Sequence, residues 1–304
     1  MSSVILEHIS KTYGKATAPA VHDVSFTVNQ GELFGLIGPD GAGKTSLFRI
    51  LTTLILPDNG KASVDGYDIF KDYKKIRNTV GYMPGRFSLY QDLSVEENLN
   101  FFATIFNTTV AENYHLIKDI YVQIEPFRKR KAGKLSGGMK QKLALCCALI
   151  HQPTVLFLDE PTTGVDPVSR KEFWEMLGRL KASGITIMVS TPYMDEATRC
   201  DRIALMQQGH IMSIDTPANI MASFPDQLFS VKAGNMSSLL RALDQYEHAK
   251  SSYAFGEYTH VTFEHNDGNE EDMKNYLTSK GLTNLEVMPA DATIEDCFIR
   301  LIKN

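Results

Sequence analysis

The fold follows from one glycine-rich segment, Gly38-Pro39-Asp40-Gly41-Ala42-Gly43-Lys44-Thr45. An apolar run from Leu33 to Ile37 precedes this segment, and a helical pattern from about Lys44 to Leu54 follows it. Glycines let the backbone wrap so closely that its N–H groups point inward at phosphate oxygens, and the first turn of the helix adds partial positive charge. The segment therefore predicts a phosphate-binding loop between a strand and a helix.

The residue types in this loop indicate a nucleoside triphosphate bound with Mg²⁺. We expect Lys44 to reach the β- and γ-phosphates and the Thr45 hydroxyl to ligate the metal. The rest of the loop, together with Ser46, would surround the phosphates. Asp40 adds a carboxylate to the loop, and we expect that side chain to point outward.

An acidic pair ends a second apolar run, Leu156-Phe157-Leu158-Asp159-Glu160. A buried strand would deliver both carboxylates to the carboxyl edge of a sheet, where ligands bind in open α/β folds. We expect Asp159 to hold the Mg²⁺ shell and Glu160 to polarise an attacking water. A solvated pair at a strand end is the alternative, and the apolar run upstream disfavours it.

Continuous apolar runs, such as Ile185-Thr186-Ile187-Met188-Val189, are typical of strands buried on both faces of a parallel sheet. They predict an α/β core. Between about 86 and 152 the periodicity becomes helical, with Ser94 and Glu97 spaced as a capping box, so we predict an inserted helical subdomain there. A break at 224–226 separates a predicted domain at 1–222 from a small α+β domain, of ferredoxin-like type, at 223–304.

A third motif, Leu135-Ser136-Gly137-Gly138-Met139, lies between the two nucleotide motifs and begins a helical run. By itself it is an N-capped anion site. In this position it resembles the signature motif of ABC ATPases, with Met139 where glutamine is more usual. The resemblance implies a P-loop NTPase fold with the ABC-ATPase core, an antiparallel β subdomain and the helical insertion.

The resemblance covers about residues 3–221 and implies roles for further residues. In this family the signature of one subunit closes over the γ-phosphate held by the other, which implies a second ATP-binding subunit, either a different one or a copy of this chain. Tyr13 resembles the aromatic residue that stacks on adenine, with an isolated exposed tyrosine as the alternative. Asp166 lies in a segment that resembles the D-loop, which crosses the dimer interface.

Two positions depart from the family pattern. Gly85 stands where the pattern has glutamine, the residue that senses Mg²⁺ and water. Pro192 stands where the switch histidine is expected, and proline has no donor to offer a γ-phosphate. We therefore expect slow hydrolysis at the nucleotide site of this chain itself.

A final motif, Ala292-Thr293-Ile294-Glu295-Asp296-Cys297-Phe298-Ile299, resembles the carboxy-terminal motif of ATP-binding subunits in the type-2 (ABC-2) exporter branch. That branch serves drug, lipid, polysaccharide or antibiotic export. The resemblance implies an ATP hydrolase that uses ATP and Mg²⁺ and drives efflux through a separate transmembrane permease. A soluble ABC ATPase and a nucleotide-gated regulatory subunit with little hydrolysis are the alternatives.

Composition limits the partners. The 304-residue chain has a formal net charge of −5, which disfavours nucleic acid because binding phosphates requires a basic surface. No apolar run approaches the roughly 20 residues of a membrane-spanning helix, so we expect a cytoplasmic protein, peripheral on the cytoplasmic face of the membrane. The basic run Arg128-Lys129-Arg130-Lys131 predicts a solvated face, with a phosphate or lipid-headgroup patch as the alternative.

Overall fold

The computed structural model describes residues 1–14, 18–263 and 269–303. The chain divides into two compact units, Met1–Pro217 and Ala218–Asn304. Within the described ranges, no helix is both long and apolar enough to cross a membrane.

Two sheets form the framework of the first unit. Their strands are β1 (Ser2–Lys11), β2 (Val21–Asn29), β3 (Leu33–Ile37), β4 (Asn59–Val64), β5 (Tyr67–Asp68), β6 (Val80–Met83), β7 (Val155–Asp159), β8 (Thr186–Thr191), β9 (Arg202–Gln207) and β10 (His210–Asp215). The smaller sheet is antiparallel, with the order β2-β1-β4-β5. The larger sheet has the order β10-β9-β3-β8-β7-β6, and its strands are parallel except β10, an antiparallel edge strand.

The larger sheet confirms the predicted α/β core. Every residue of β3, β7 and β8 is buried, as the continuous apolar runs predict for strands covered on both faces. Phe48 packs edge-to-face on Phe157 of β7, with ring centroids 5.7 Å apart, and both side chains are fully buried. Burying side chains of this size contributes about 1.5–3 kcal/mol each, which holds the helix carrying Phe48 against the sheet.

The helices of the first unit follow the predicted pattern of a core helix, an insertion and a helix after the acidic strand. They are α1 (Lys44–Leu51), α2 (Tyr73–Thr79), α3 (Val95–Ile105), α4 (Tyr114–Tyr121), α5 (Gly137–Leu149) and α6 (Pro167–Ala182). Short 3-10 helices occupy Glu125–Phe127, Ala132–Lys134 and Met194–Arg199. Helices α3 to α5 lie within the predicted helical insertion.

Helix α1 ends earlier than its pattern predicts. The apolar periodicity continues to Leu54, but the helix stops at Leu51. Thr53 adopts a left-handed φ of 59°, which cannot continue an α-helix, and the Thr52 hydroxyl donates to the Phe48 carbonyl at 2.7 Å. The predicted end was therefore wrong, because local backbone conformation overrides side-chain periodicity here.

The start of α3 is fixed by two polar side chains. Ser94 accepts from the Glu97 N–H and Glu97 accepts from the Ser94 N–H, so the predicted capping box is confirmed. Asn98, which is fully buried, exchanges hydrogen bonds with both backbone groups of Tyr90 at 3.0 Å. These contacts order the loop that joins Gly85 to α3.

The second unit is built on one antiparallel sheet with the order β12-β13-β11-β14. Its elements are β11 (Gln227–Lys232), α8 (Met236–Leu243), β12 (Ser251–Phe255), β13 (Tyr258–Phe263), α9 (Glu270–Ser279), β14 (Glu286–Pro289) and α10 (Ile294–Lys303), and α7 (Pro217–Ala222) lies at the division between the units. The β-α-β-β-α-β succession with this strand order has the ferredoxin-like arrangement that we predicted.

Asp296 anchors α10 in the second unit. Its Oδ2 accepts from the Thr293 N–H at 2.7 Å, and its Oδ1 accepts from His260 and Tyr253 at 2.6 Å each. The carboxylate is completely buried. Burial alone would raise its pKa, but the hydrogen bonds from His260, Thr293 and Tyr253 more than offset this and lower the pKa to about 2. The motif at 292–299 therefore includes a helix cap that also binds the sheet.

We expect Asp296→Asn to lower the free energy of unfolding by about 2–4 kcal/mol, because it leaves buried donors without a charged acceptor. The depressed pKa adds a pH signature: the stability that the carboxylate contributes is present above its unfolded value of 3.8 and is lost as pH falls toward about 2. Urea denaturation between pH 7 and pH 2 measures both effects. The exposed Asp291→Asn is the control, and equal loss in the two variants would contradict this role for Asp296.

Candidate functional site

The glycine-rich loop joins β3 to α1 at the carboxyl edge of the larger sheet. Gly43 has φ 111°, and a Cβ there would lie 2.2 Å from the Ala20 carbonyl oxygen, so only glycine fits. A Cβ on Gly38 would lie 2.1 Å from the carbonyl oxygen of Met206. The residue before β2 and a residue of β9 therefore lie so close to the loop that these positions exclude any side chain.

Lys44 is buried at the start of α1, with 3% of its side chain exposed. Its ammonium donates to the carbonyls of Gly38 and Pro39 at 2.7 and 2.9 Å, and lies 3.2 Å from Glu160 Oε1. The ammonium group of Lys44 therefore lies inside the loop, where two backbone carbonyls of the loop hold it. Asp40 is exposed at the tip of the loop.

A cavity of about 220 Å³ lies at this loop. Among the described residues, its lining comes from Ala20, Gly41–Ser46 and Glu160. The structure therefore brings Lys44, Thr45 and Glu160 together. Tyr13 is near this group, because its hydroxyl donates to Ser46 Oγ at 3.2 Å, and the residue is 41% exposed.

Ser190 at the end of β8 contacts both acidic residues. Its hydroxyl donates to Asp159 Oδ1 at 2.7 Å, and the Glu160 N–H lies 3.0 Å from Ser190 Oγ and 3.1 Å from the Ser190 carbonyl oxygen. Sequence reasoning assigned no role to Ser190. Only the register of the two strands reveals this contact, since Asp159 of β7 is paired with Ser190 of β8.

The oxygen donors near the loop fit Mg²⁺. Asp159, 2% exposed, offers a carboxylate, and Thr45, at the loop cavity, offers a hydroxyl. In the part of the chain that the structure describes, no group of three or more His, Cys, Asp or Glu could hold a metal. Mg²⁺ commonly takes one or two protein oxygens and completes its shell with phosphate and water, so this sparse set suits it better than a fully protein-ligated metal.

The two departures from the family pattern lie beside these groups. A Cβ on Gly85 would lie 3.2 Å from the Asp159 carbonyl oxygen and 3.7 Å from Asp159 Oδ2. Pro192 directly follows β8, whose last residue, Thr191, accepts from the Gly38 N–H at 3.2 Å. Both positions are thus next to the nucleotide motifs, and neither residue brings a polar side chain there.

A buried carboxylate, Glu196, fixes the segment that contains Pro192. Glu196 Oε2 accepts from Thr191 at 2.6 Å and from Thr162 at 3.1 Å, and Oε1 pairs with Arg170 Nε at 3.1 Å. Glu196 is 4% exposed. The segment after β8 is therefore tied to α6, and sequence reasoning missed this link.

The signature residues lie at the start of α5, against the D-loop. Ser136 is the N-cap, and its hydroxyl accepts from the Met139 N–H at 3.4 Å. A Cβ on Gly138 would lie 2.8 Å from Ser169 Oγ, and one on Gly137 would lie 3.3 Å from the Gly164 carbonyl oxygen. Both glycines allow close packing on the segment around Asp166, which caps α6 by accepting from the Ser169 N–H. Leu135, which directly precedes Ser136, is buried.

The larger sheet, with its phosphate-binding loop and acidic strand, defines an ATP-binding cassette. A family profile described as ABC transporter matches residues 21–163. The chain belongs to the ABC transporter family as an ATP-binding protein, which confirms the resemblance found in the sequence.

Relatives extend this similarity along the chain. The probable multidrug ABC transporter ATP-binding protein YbhF of Escherichia coli (strain K12) is 41% identical over 245 residues, which are 79% of this chain and 42% of YbhF. The doxorubicin resistance ATP-binding protein DrrA of Mycobacterium tuberculosis (strain H37Rv) is 37% identical over 70% of this chain and 66% of DrrA. The Nod factor export ATP-binding protein I of Burkholderia lata is 34% identical over 99% of this chain and 97% of its own length. The chain thus spans less than half of YbhF.

Solved structures agree on the fold. An ATP-binding subunit of an ABC transporter has a TM-score of 0.66 at 27% identity, covering 73% of this chain and 93% of that one. A dimeric ATP-binding cassette in a post-hydrolysis state with ADP and Pi has a TM-score of 0.64 at 23% identity, covering 70% and 98%. These matches confirm the P-loop ABC ATPase fold.

We expect Lys44→Ala to weaken ATP binding by about tenfold to a hundredfold, because a charge-assisted hydrogen bond contributes about 1.5–3 kcal/mol. Titration calorimetry on the full chain measures the affinity. Lys142→Ala is the matched control, since Lys142 is also largely buried and paired with a carboxylate, Glu172, at 2.8 Å. Equal ATP affinity in Lys44→Ala and the parent would contradict the assignment of the loop.

Proposed function

We propose that this chain is the ATP-binding and ATP-hydrolysing subunit of an ABC-2 type exporter, which drives efflux through a separate membrane permease by ATP-dependent dimer closure. The main support for the proposal is that the Lys44 ammonium lies 3.2 Å from the Glu160 carboxylate and that both residues line the loop cavity. The names of the relatives, which include a multidrug transporter protein, a doxorubicin resistance protein and a Nod factor export protein, support export.

Each residue of the site has a chemical role in this proposal. Backbone N–H groups of the glycine-rich loop and of the first turn of α1, together with the Lys44 ammonium, bind the phosphates. Thr45 and Asp159 would hold Mg²⁺, which supplies charge neutralisation on the phosphates when bound. Glu160 polarises the attacking water. Tyr13, near Ser46, offers its ring to adenine.

The remaining assignments in the proposal concern location and partners. The chain would consist of an ATP-binding domain, at about 1–222, and a small α+β domain, at 223–304. The chain would lie on the cytoplasmic face of the membrane, with the permease and a second ATP-binding subunit as partners and without nucleic acid. Ser136, Gly137, Gly138 and Asp166 would complete the nucleotide site of that second subunit.

A groove between the sheet and the helical insertion is the proposed docking site for the permease. Its volume is about 200 Å³, and its lining includes Leu54, Leu89, Phe102 and Phe106. Tyr90 stands beside Leu89, is 51% exposed and packs edge-to-face on Phe101 with centroids 4.8 Å apart. A concave surface with exposed apolar groups at and beside it, Leu54 at 55% and Tyr90 at 51%, suits an apolar helix from a membrane protein.

We expect Tyr90→Cys, labelled through its thiol with a maleimide-linked benzophenone and irradiated, to crosslink to a membrane protein in the assembled complex. The native cysteines, Cys146, Cys147, Cys200 and Cys297, are buried, and burial raises their pKa values, so the introduced thiol is the reactive one. Glu175→Cys, on the exposed side of α6, is the control. A complex in which Tyr90→Cys labels with maleimide but never crosslinks to a membrane protein would refute the docking site.

The departures at Gly85 and Pro192 favour an asymmetric pair. Both positions lie next to the motifs that bind nucleotide in this chain, whereas Ser136, Gly137 and Gly138 would serve the opposite site. Loss of a hydrogen bond that stabilises a transition state typically costs about 10²–10³ in rate. The chain's own site would then bind ATP and turn over slowly, while a partner with intact switch residues hydrolyses it quickly.

In the complex with its partner, we expect Ser136→Ala to reduce steady-state ATPase activity at least tenfold more than Glu160→Gln does. The signature change affects the fast site, and the glutamate change affects the slow one. Melting temperatures of both variants separate loss of the α5 cap from loss of catalysis. Brisk hydrolysis by the chain alone, or a larger effect of Glu160→Gln, would contradict the asymmetric pair.

A further inference from the structure

We infer that Ser190 is a positioning residue, whose hydroxyl sets the geometry of both acidic residues and so couples Mg²⁺ to ATP binding. The inference rests on the proposed function of the loop as an ATP site. Ser190 belongs to none of the motifs described above, which are the phosphate-binding loop, the acidic pair, the signature and the switch position.

The Ser190 hydroxyl has one proton and two lone pairs, and its contacts use both kinds of group. The hydroxyl donates a hydrogen bond to Asp159 Oδ1, with Oγ and Oδ1 2.7 Å apart. Ser190 Oγ also accepts a hydrogen bond from the Glu160 N–H, with N and Oγ 3.0 Å apart. Ser190 is completely buried, so water has no access to replace these bonds. One oxygen atom thus connects the side chain of the first acidic residue to the backbone of the second.

The contact with Asp159 determines which carboxylate oxygen is left for a ligand. Because Oδ1 accepts the hydrogen bond from Ser190, the lone pairs of the other oxygen, Oδ2, are left for other donors or a cation. Oδ2 is on the side of Gly85, where a Cβ would be 3.7 Å away. Without the hydroxyl, the carboxylate is free to rotate, and a metal would lose a preoriented ligand.

The contact with Glu160 supports an unfavourable backbone conformation. Glu160 has φ 48°, in the left-handed region, where a residue with a Cβ is disfavoured. Its N–H lies within hydrogen-bond distance of the hydroxyl and the carbonyl oxygens of Ser190, at 3.0 and 3.1 Å, and this shared bond holds the turn. The turn places the Glu160 carboxylate against Lys44, so Ser190 also acts on the residue that would polarise water.

The two other hydroxyls of β8 have partners other than Asp159 and Glu160. Thr191 Oγ1 donates to Glu196, and Thr186 Oγ1 bonds to Ser3 Oγ and accepts from the Gly31 N–H. Thr186 is as deeply buried as Ser190, with 1% exposed, but lies at the opposite end of β8. It therefore provides a matched control for the loss of a buried, hydrogen-bonded hydroxyl.

The test compares Ser190→Ala, Ser190→Thr and Thr186→Ala in the full chain. Calorimetry measures ATP affinity with Mg²⁺ and with EDTA, and electron paramagnetic resonance measures Mn²⁺ binding in the presence of ATP. We expect Ser190→Ala to reduce the Mg²⁺-dependent gain in ATP affinity and the Mn²⁺ affinity at least fivefold, with the EDTA value within twofold of the parent. Ser190→Thr, which keeps the hydroxyl, should restore both, and Thr186→Ala should change neither.

Two outcomes overturn the inference: a Ser190→Ala chain with the metal dependence of the parent, or a Thr186→Ala chain with the same loss as Ser190→Ala. If Ser190→Ala is too unstable, Ser190→Cys keeps the shape of the side chain with a larger terminal atom, weakens the hydrogen bonds and gives the same comparison. Failure of the proposed function has a different signature, since the parent and Lys44→Ala would then bind ATP equally. The positioning role is contradicted when the parent shows metal-dependent binding that Ser190→Ala retains or that Thr186→Ala loses to the same extent.

Discussion

The site depends on the parallel pairing of three buried strands, β3, β8 and β7. Ile37 is paired with Thr191 and Asp159 with Ser190, so all three strands end at one edge of the sheet. This register places the start of the loop, the acidic pair and the segment of Pro192 together although they are far apart in sequence. A one-residue slip would turn each side chain to the opposite face of the sheet and separate the groups.

The sequence predicts the parts of this site whose chemistry is local. The loop, the acidic pair and the capping box of Ser94 each consist of residue types at fixed spacing, and such patterns are readable without tertiary information. Sequence patterns do not reveal a side chain whose partner is distant in the chain or is a backbone group. Ser190 bonds to Asp159, 31 residues away, and Glu196 bonds to Thr162, 34 residues away. Asn98 bonds to the backbone of Tyr90, 8 residues away. The end of α1 was misjudged because a left-handed residue, rather than a change in apolar periodicity, stops the helix.

Rigid attachment is the common property of the segments around the nucleotide site. Glu196 ties the residues after β8 to α6, and the signature glycines pack on the segment that caps α6. The close approach of Gly137 and Gly138 to the segment around Asp166 couples the positions of these two segments, because larger side chains at either glycine would push them apart. A proline in the switch position is compatible with this rigidity, since it adds a fixed φ to a segment that Glu196 already holds.

Asp296 in the second unit has a consequence for the order in which that unit forms during synthesis. Its partner His260 is 36 residues earlier in the chain, and Tyr253 is 43 residues earlier. At roughly 5–20 residues per second, the sheet strands emerge from a ribosome some seconds before the carboxylate that their buried polar groups need. Until α10 arrives, those groups have no charged acceptor, so a nascent chain paused in this interval would be exposed to proteases and chaperones.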